Sequence, residues 1–521
     1  MSKFSILALA VASTSALAQP TESNLEHISV YASRQAKPVS DTLTSVTVLD
    51  RAAIEAAQQA GVGLLVYTSL LHADTSPLPL ADEHKETEQL IRAAAIPFVI
   101  LRNGWYSENY VASIDSALQL GAVFGSVFGW ERPNWFAPEG YALSEADLDK
   151  PDVLLNDNHP VVADQPIREK WSFRRSNYFE HVGNECRHVH EKVGIQDMSA
   201  FAKCEISGPG AEAWLDQLLT NAVPKKVGRV TLSYLLTQKG GVRSEFTVYK
   251  AAPQRYYLVS AGAYERHDHD YLKKALPRDG SVSFERLTTA MGVLVLAGPR
   301  SRDVLAKLTD TDLSNDAFPW LTGKKMSIGL AQVDALRVNF IGELGWEIHH
   351  PIEMQNYIFD RLMEAGAEFE IKPFGIRAMT SMALEKSYKL IPRELSVEYS
   401  AFESGLDRFV SLKKPTFHGR DALLAWQERG GANTLVTMEV HNVTDADARG
   451  SEPIYHGDDV VGRVTSGGYG WRVRKSLALA MVWPDLAHAG AEFEIAILGV
   501  RHKATIIADS PFDPDNHALK S

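Results

Sequence analysis

Apolar and polar positions follow the same order in two segments of the C-terminal part of the chain. The first runs from Cys204 to Pro209 and continues over 211–218, and the second runs from Leu294 to Pro299 and continues over 301–308. Each pattern predicts a strand, a glycine-proline corner and a helix, because proline in the first helical turn loses no hydrogen bond. The repetition predicts a duplicated α+β unit whose halves pack about a shared cleft, where ligands commonly bind. Two unrelated strand–helix corners are the alternative.

The N-terminal segments differ from this pattern. Residues 1–18 contain Lys3, an apolar run and small residues near the end, which is the layout of a secretory signal peptide. A fortuitously apolar N-terminus is the alternative. Residues 19–60 alternate like short strands and then turn helical. They resemble the start of TonB-dependent outer-membrane receptors, but no barrel follows, so transport is not implied.

Residues 61–126 predict a fragment of a parallel α/β sheet. Strands are predicted over Leu64–Ser69 and Phe98–Leu101, with a helix over 82–95 between them. The segment resembles atypical short-chain reductases of the quinone-reductase (NmrA-like) type. A dinucleotide site needs a glycine-rich turn after the first strand, and no such turn occurs upstream. We therefore expect an incomplete Rossmann-like fragment that does not bind NAD(P).

Composition narrows the classes of function. The 521 residues are 45% apolar and 23% charged, which is typical of globular proteins, and the length allows several domains. The net charge of −12 argues against nucleic acid as a partner, because phosphate backbones attract basic surfaces. No stretch after the N-terminus reaches the roughly 18 apolar residues of a membrane span. Cys186 and Cys204 are expected to be reduced and buried.

Three glutamates beside glycine turns are the candidate site residues. Gly240 and Gly241 precede a predicted strand that carries Glu245, and glycines also punctuate the segment that contains Glu343 and Glu347. A carboxylate in such a position can accept a hydrogen bond from a ligand N–H group or act as a base. Together the three predict a site for a heterocycle with several N–H donors, such as a pterin. Taken alone, Glu245 would be assigned to a solvated strand face.

Other polar clusters are assigned to solvated faces. His188 and His190 are two positions apart and cannot share a helix face, so no metal site is predicted there or in the polar run 267–270. Arg472, next to Arg474 and Lys475, is likewise interpreted as a surface charge rather than a clamp for an anionic ligand.

A series of further motifs carries a resemblance to a known family. In chain order they are Gly129–Phe136, Arg174–Tyr178, Val193–Ser199, Phe340–Glu347, Leu384–Tyr388, Glu403–Leu406, Phe417–Arg420 and Gly462–Tyr469. They resemble the tetrahydrofolate-binding half of dimethylglycine and sarcosine dehydrogenases, which is related to the glycine-cleavage T protein (aminomethyltransferase). The resemblance implies an α+β fold with a duplicated aminomethyltransferase-like folate-binding core. The strand-rich segment from Thr434 to Ile507 would be its C-terminal β-barrel.

The resemblance also implies chemistry and partners. In that family a flavin half oxidises an N-methyl amine, and the one-carbon unit passes to N5 of tetrahydrofolate. Glu245 is implied to be the catalytic acidic residue, Glu343 and Glu347 to bind the folate, and Tyr388 to line the site. No dinucleotide fingerprint precedes Gly129, so FAD is not expected to bind this chain alone. A flavoprotein oxidase subunit and an N-methyl amine adduct are the implied partners.

Two positions depart from the family pattern. Thr380 stands where the family commonly has Asp or Asn, and Ala383 stands where it has an arginine. If that arginine holds the carboxylate tail of folate, Ala383 weakens the expectation of tail binding. Three hypotheses follow: a one-carbon-transfer module, a non-catalytic folate-binding module, and an NAD(P)H-dependent reductase, which the missing glycine loop disfavours.

The predicted organisation has six segments. They are the signal peptide (1–18), a receptor-plug-like fragment (19–60), the incomplete Rossmann-like fragment (61–126), a remnant of the flavin-half linker (127–168), the folate-binding region (169–425) and the barrel (426–521). The export signal conflicts with the cytoplasmic location of folate chemistry. The order of the segments leads to the hypothesis of a fused reading frame.

Overall fold

The computed structural model describes a defined part of the chain. The described residues are 6–7, 9–11, 29–30, 64–70, 88–93, 98–103, 120–127, 129–141 and 172–521. Most of the predicted signal peptide, plug-like fragment and flavin-half linker lie outside them. The chain divides into two compact units, Met1–Ala112 and Ser113–Ser521.

The first unit contains short strands around a parallel pair. Its elements are β1 (Ile6–Leu7), β2 (Leu9–Val11), β3 (Ser29–Val30), β4 (Leu64–Leu70), β5 (Phe98–Asn103) and a helical stretch over 88–93. Strands β4 and β5 run parallel with Leu65 opposite Phe98, which confirms the predicted strand pairing. Strand β2 pairs antiparallel with β4. The resemblances proposed for this part of the chain and the signal peptide stay predictions.

The second unit contains most of the described elements. Its strands are β6 (Ala122–Val127), β7 (Trp130–Phe136), β8 (Gly194–Asp197), β9 (Ala202–Ser207), β10 (Val230–Leu236), β11 (Val242–Ala252), β12 (Arg255–Ser260), β13 (Ser283–Arg286), β14 (Met291–Ala297), β15 (Gly323–Ile328), β16 (Ala331–Leu336), β17 (Gly345–Pro351), β18 (Lys372–Pro373), β19 (Thr434–Val440), β20 (Pro453–His456), β21 (Asp459–Gly470), β22 (Lys475–Val482), β23 (Glu492–Ile497) and β24 (Val500–Ile507). Its helices are α1 (Phe179–Glu191), α2 (Ala211–Leu218), α3 (Glu265–Ala275), α4 (Ser301–Ala306), α5 (Gln355–Gly366), α6 (Ile376–Leu384), α7 (Arg420–Arg429) and α8 (His517–Lys520).

The strand order confirms the predicted duplication. The first sheet has the order β10-β11-β12-β9-β13, and the second sheet has the order β15-β16-β17-β14-β8-β18. In the first sheet, β9 leads through α2 into the meander β10-β11-β12, and β12 pairs with β9. In the second sheet, β14 leads through α4 into the meander β15-β16-β17, and β17 pairs with β14. A helix then follows in both copies, α3 in one and α5 in the other.

The two copies exchange one strand each. Strand β8 precedes the first copy in the chain but pairs with β14 of the second sheet. Strand β13 precedes the second copy but pairs with β9 of the first sheet. Each sheet therefore depends on a strand supplied from beside the other copy.

The glycine-proline corners lie where the repeat predicted them. Gly208 and Gly298 have φ of 116° and 121°, a region that residues with a Cβ rarely adopt. A Cβ on Gly208 would lie 2.4 Å from the carbonyl oxygen of Ser281. Helix α4, which follows the second corner, ends at Ala306, before the predicted end at residue 308.

Each sheet packs helices on one face. In the first sheet, Phe246 and Leu258 pack with Leu215 of α2 and Leu272 of α3. In the second sheet, the residues in contact with α4 and α5 include Leu294, Leu296, Trp346 and Ile348. The opposite faces, called the inner faces here, meet where Tyr249, Tyr257 and Val259 pack against Leu336.

Residues of α3 correct one prediction. Asp268 and His269, assigned from the sequence to a solvated face, are 1% and 7% exposed. The carboxylate of Asp268 accepts hydrogen bonds from the hydroxyl groups of Ser244 and Ser260, so it fastens the helix to the first sheet.

The C-terminal strands form a closed barrel, as predicted, and its six strands have the order β19-β22-β21-β20-β23-β24. Its core includes Met438, Val464, Ala480 and Ile495. Closure leaves the barrel without free strand edges. Cys186 and Cys204 are free and buried, as predicted. Within the described residues, no helix is both long and apolar enough to cross a membrane.

Candidate functional site

Glu245 lies in the middle of strand β11 and is half-buried. Its Oε1 accepts a hydrogen bond of 2.9 Å from the phenol of Tyr234. Burial raises the pKa of Glu245 to about 7, while the hydrogen bond from Tyr234 and the charge of Lys389 lower it. A carboxyl group with this pKa can both accept and release a proton near neutral pH. Glu245 is therefore unlike the solvated strand residue that its sequence position alone suggested.

The glycine turn explains how Glu245 meets Tyr234. Gly240 has φ of 85°, and the N–H of Thr237 donates to the carbonyl of Gly241 at 2.8 Å. This confirms the predicted tight turn between β10 and β11. The hairpin register then places Tyr234 directly opposite Glu245, so that both side chains lie on one face.

Glu347 occupies the inner face of the second sheet. It pairs in register with Leu336 and Val295, and residues directly opposite each other share a face. His349 Nε2 lies 3.3 Å from Oε2 of Glu347, and the phenol of Tyr257 lies 3.1 Å from Nδ1 of the same histidine. The tautomer of His349 with its proton on Nε2 satisfies both contacts, because Nε2 then donates to the carboxylate of Glu347 and Nδ1 accepts from the phenol of Tyr257.

The fold thus brings Glu245 and Glu347 onto inner faces that meet. Glu245 shares its strand face with Tyr249, which packs against Leu336 of the second sheet. Leu336 is the register partner of Glu347. The duplicated core places one carboxylate from each copy toward the space between the sheets.

Tyr388 follows helix α6 and is partly buried. Its ring centroid lies 5.3 Å from that of Phe340, and its backbone N–H donates to the carbonyl of Ala383. Burial raises the pKa of Tyr388 to about 12, so the phenol stays neutral and can donate a hydrogen bond. Ala383, where the resemblance led us to expect an arginine, is 2% exposed.

Glu343 lies in a different environment from the other two glutamates. Its Oε1 accepts hydrogen bonds from Arg472 Nη1 at 2.6 Å and from His190 Nδ1 at 2.9 Å. Arg472 also pairs with Glu385, and the side chains of all three residues of this ion-pair cluster are at most 3% exposed. The interpretation of Arg472 as a surface charge is therefore wrong. Arg472 can be buried because two carboxylates from distant segments pair with its charge.

Sequence reasoning missed three residues around Glu245. Tyr234 is its hydrogen-bond partner, and the ring of Phe409 lies 5.8 Å from that of Tyr234. Lys389 is close enough for its charge to lower the pKa of Glu245. The hairpin spacing about Gly240 could have identified Tyr234, but no local signal pointed to the other two.

No candidate metal centre accompanies these carboxylates. Among the residues that the structure describes, no three His, Cys, Asp or Glu side chains come together as metal ligands.

Comparison with known families decides the classification. Residues 113–414 match the model described as "GCVT N-terminal domain", which is more than half of the chain. The chain belongs to this family. Residues 433–513 match the "Glycine cleavage T-protein C-terminal barrel domain".

Similar proteins agree with this membership. Dimethylglycine dehydrogenase, mitochondrial, of Mus musculus is 36% identical over 77% of this chain and 43% of its own length. Aminomethyltransferase of Thermoanaerobacter sp. is 30% identical over 63% of this chain and 89% of its own length. The chain spans less than half of the dehydrogenase.

A solved structure shows the same fold. The crystal structure of glycine cleavage system aminomethyltransferase T from Bartonella henselae aligns with a TM-score of 0.63 at 20% identity. The alignment covers 77% of this chain and 97% of that structure. The predicted fold class, an aminomethyltransferase-like α+β core with a C-terminal barrel, is confirmed.

Proposed function

We propose that the second unit binds tetrahydrofolate and transfers a one-carbon unit to it. The observation that carries this proposal is the half-buried carboxyl group of Glu245, whose pKa is raised to about 7 on an inner face that meets that of Glu347. The names of the relatives support it, since they include an aminomethyltransferase and a dimethylglycine dehydrogenase.

The polar groups present suit a reduced pteridine. Such a ring presents several N–H donors, and carboxylates are strong acceptors for them. Glu245 accepts a hydrogen bond from Tyr234 at one oxygen and Glu347 is held by His349 at one oxygen, and no hydrogen bond from a described residue is found at the other oxygen of either carboxylate. Tyr388 and Phe340 add aromatic surface, on which a flat heterocycle stacks. The site residues therefore fit the proposed ligand.

In this proposal Glu245 is the proton acceptor, and Glu245 and Glu347 accept hydrogen bonds from the ring. When bound, tetrahydrofolate would supply the nitrogen that forms the new bond to the one-carbon unit, while the bond between that unit and the donor amine would break and the demethylated amine would leave. The ionised form of Glu245 would accept the proton released from that nitrogen, and Tyr234 would stabilise the ionised form by its hydrogen bond. Glu347 would fix the orientation of the ring, because His349 holds its carboxylate and Tyr257 in turn holds His349.

Glu343 takes a different role in this proposal. Its charge is already neutralised by Arg472, so binding a ligand N–H directly would compete with a buried ion pair. We infer that it positions the loop that contains Phe340 rather than contacting the pterin ring.

The donor of the one-carbon unit is proposed from the relatives. An N-methyl amine oxidised by a flavoprotein would supply it, because the relatives include dimethylglycine dehydrogenases, which by their name oxidise such an amine. Binding of FAD or NAD(P) by this chain alone is not proposed.

The test uses the full chain with tetrahydrofolate and formaldehyde. We expect formation of 5,10-methylenetetrahydrofolate above the uncatalysed rate, and loss of that excess in Glu245→Gln. Folate binding without an accelerated rate would instead favour the non-catalytic binding module, to which Ala383 points. Binding of NADPH without binding of tetrahydrofolate would support the reductase hypothesis.

A further inference from the structure

Arg408 is an exposed cation beside the proposed site. It lies in a short 3-10 helix, Asp407–Phe409, that contacts strand β10. Its guanidinium carbon lies 4.7 Å from the ring centroid of Phe409, and that ring contacts Tyr234, the partner of Glu245. Phe409 and Tyr234 therefore connect the side chain of Arg408 to the carboxyl group of Glu245, which carries the proposed chemistry.

The positive charge of Arg408 also acts on two tyrosines of the proposed site. Burial raises the pKa of Tyr388, and the positive charge of Arg408 acts in the opposite direction. The same charge also opposes the rise in the pKa of Tyr234 that burial causes. The charge of Arg408 thus acts on both Tyr234 of the first sheet and Tyr388 of the segment after α6.

Arg408 has no carboxylate partner of its own. Among the described residues, the contact found for its guanidinium group is the one with the ring of Phe409, and no hydrogen bond or ion pair is found, although Asp407 is its neighbour in the chain. Other cations in the region are engaged, since Arg472 pairs with Glu343 and Glu385, and the ammonium group of Lys386 donates to the carbonyls of Phe512 and Asp513. A free guanidinium at the edge of a ligand site suits a ligand carboxylate, which it can bind through two parallel hydrogen bonds.

Folate carries such a group. Its glutamate tail ends in carboxylates, whereas the pteridine ring has none. If the arginine that the family resemblance places at the position of Ala383 holds this tail, another cation has to hold it here, because the side chain of alanine cannot bind an anion. We propose that Arg408 binds the carboxylate tail of the folate and so replaces the arginine that is missing at Ala383. This inference rests on the proposed function.

Two ligands separate tail binding from ring binding. Tetrahydrofolate has the tail, and 6-methyltetrahydropterin has the same reduced ring without it. By calorimetry at low ionic strength we expect Arg408→Gln to weaken the binding of tetrahydrofolate about tenfold or more, because the charge-assisted hydrogen bonds to the tail are lost. Its affinity for 6-methyltetrahydropterin should be unchanged. Raising the salt concentration should weaken the binding of tetrahydrofolate more in the wild type than in the variant.

Two comparison variants complete the test. Arg266→Gln removes another exposed arginine, on α3, and should change neither affinity. Lys389→Gln removes the other nearby cation, which lies 3.7 Å from Asp509. If Lys389→Gln abolishes the preference for the tailed ligand while Arg408→Gln leaves it intact, the proposal is overturned.

The failure of the proposed function would look different. A wild-type protein that binds neither ligand contradicts both proposals. A wild-type protein that binds both ligands equally, or an Arg408→Gln variant that weakens both by the same factor, contradicts the role of Arg408 and leaves the folate site standing.

Discussion

The phenol oxygen of Tyr234 lies 2.9 Å from Oε1 of Glu245, across the register of one antiparallel hairpin. Tyr234 is only 1% exposed, so the donor of this hydrogen bond is shielded from water, whereas Glu245 is half-buried. The carboxyl group feels two opposing influences, because burial raises its pKa and the phenol lowers it. The balance leaves a proton acceptor that titrates in the neutral range.

This balance predicts the pH dependence of the proposed reaction. Only the ionised form of Glu245 accepts a proton, so the rate should rise with pH through about 7 and then level off. The formation of 5,10-methylenetetrahydrofolate, corrected for the rate without protein, measures this. Glu245→Gln should lack the rise. A variant that keeps the full rate and profile would exclude Glu245 as the acceptor.

Removing the phenol should shift that profile. Tyr234→Phe deletes the hydrogen bond that lowers the pKa of Glu245. A hydrogen bond to a charged group contributes about 1.5 kcal/mol or more, so the midpoint should move up by about one pH unit. Tyr249→Phe is the control, since Tyr249 lies on the same face of β11 as Glu245 but its phenol donates a hydrogen bond to Asp334 of β16 instead. Equal profiles in the two variants would show that Tyr234 does not tune the carboxyl group.

The ion-pair cluster should dominate stability. Arg472→Met leaves Glu343 and Glu385 buried without their cation, which should cost about 3 kcal/mol or more. Arg174→Met breaks an exposed pair with Asp445 and should cost at most about 1 kcal/mol. Urea unfolding of the two variants measures the difference. Similar midpoints for both would mean that the cluster is not held as described.

Glu185 should make stability depend on pH. Burial raises its pKa to about 8, although the backbone N–H groups of Phe136 and Gly375 donate to it. The folded protein therefore holds a proton that the unfolded chain, with the ordinary value of 4.5, releases earlier. Its contribution is fully present below about 4.5 and is lost as the pH rises through about 8, with a slope of at most about 1.4 kcal/mol per pH unit.

Glu185→Gln should flatten this part of the stability curve. The exposed Glu364, which pairs with Arg361 on the surface, provides the control substitution Glu364→Gln. Unfolding free energies measured between pH 5 and pH 9 give the comparison. Identical slopes in the wild type and in Glu185→Gln would contradict a protonated carboxyl group at this position.

The duplicated core could be predicted because its signals are local. The glycine-proline corners at Gly208 and Gly298 and the leucines after them recur at matching positions, and each corner needs only its own few residues. The turn at Gly240 likewise specified the hairpin that carries Glu245. These features follow from backbone geometry, so they are visible without knowledge of tertiary contacts.

The strand exchange and the ion-pair cluster could not be predicted, because both depend on distant segments. Nothing in β8 or β13 indicates that each joins the sheet of the other copy. Arg472 has the local appearance of a charged turn. Its partners Glu343 and Glu385 lie 129 and 87 residues away, and only the assembled fold shows that they meet.

Calorimetric titration of the folded chain with tetrahydrofolate tests the central claim most directly. The account predicts saturable binding at one site per chain, weakened about tenfold or more in Glu347→Gln, since one charge-assisted contact to the ring is lost. Absence of any binding heat at two temperatures, in protein that unfolds cooperatively, would contradict it.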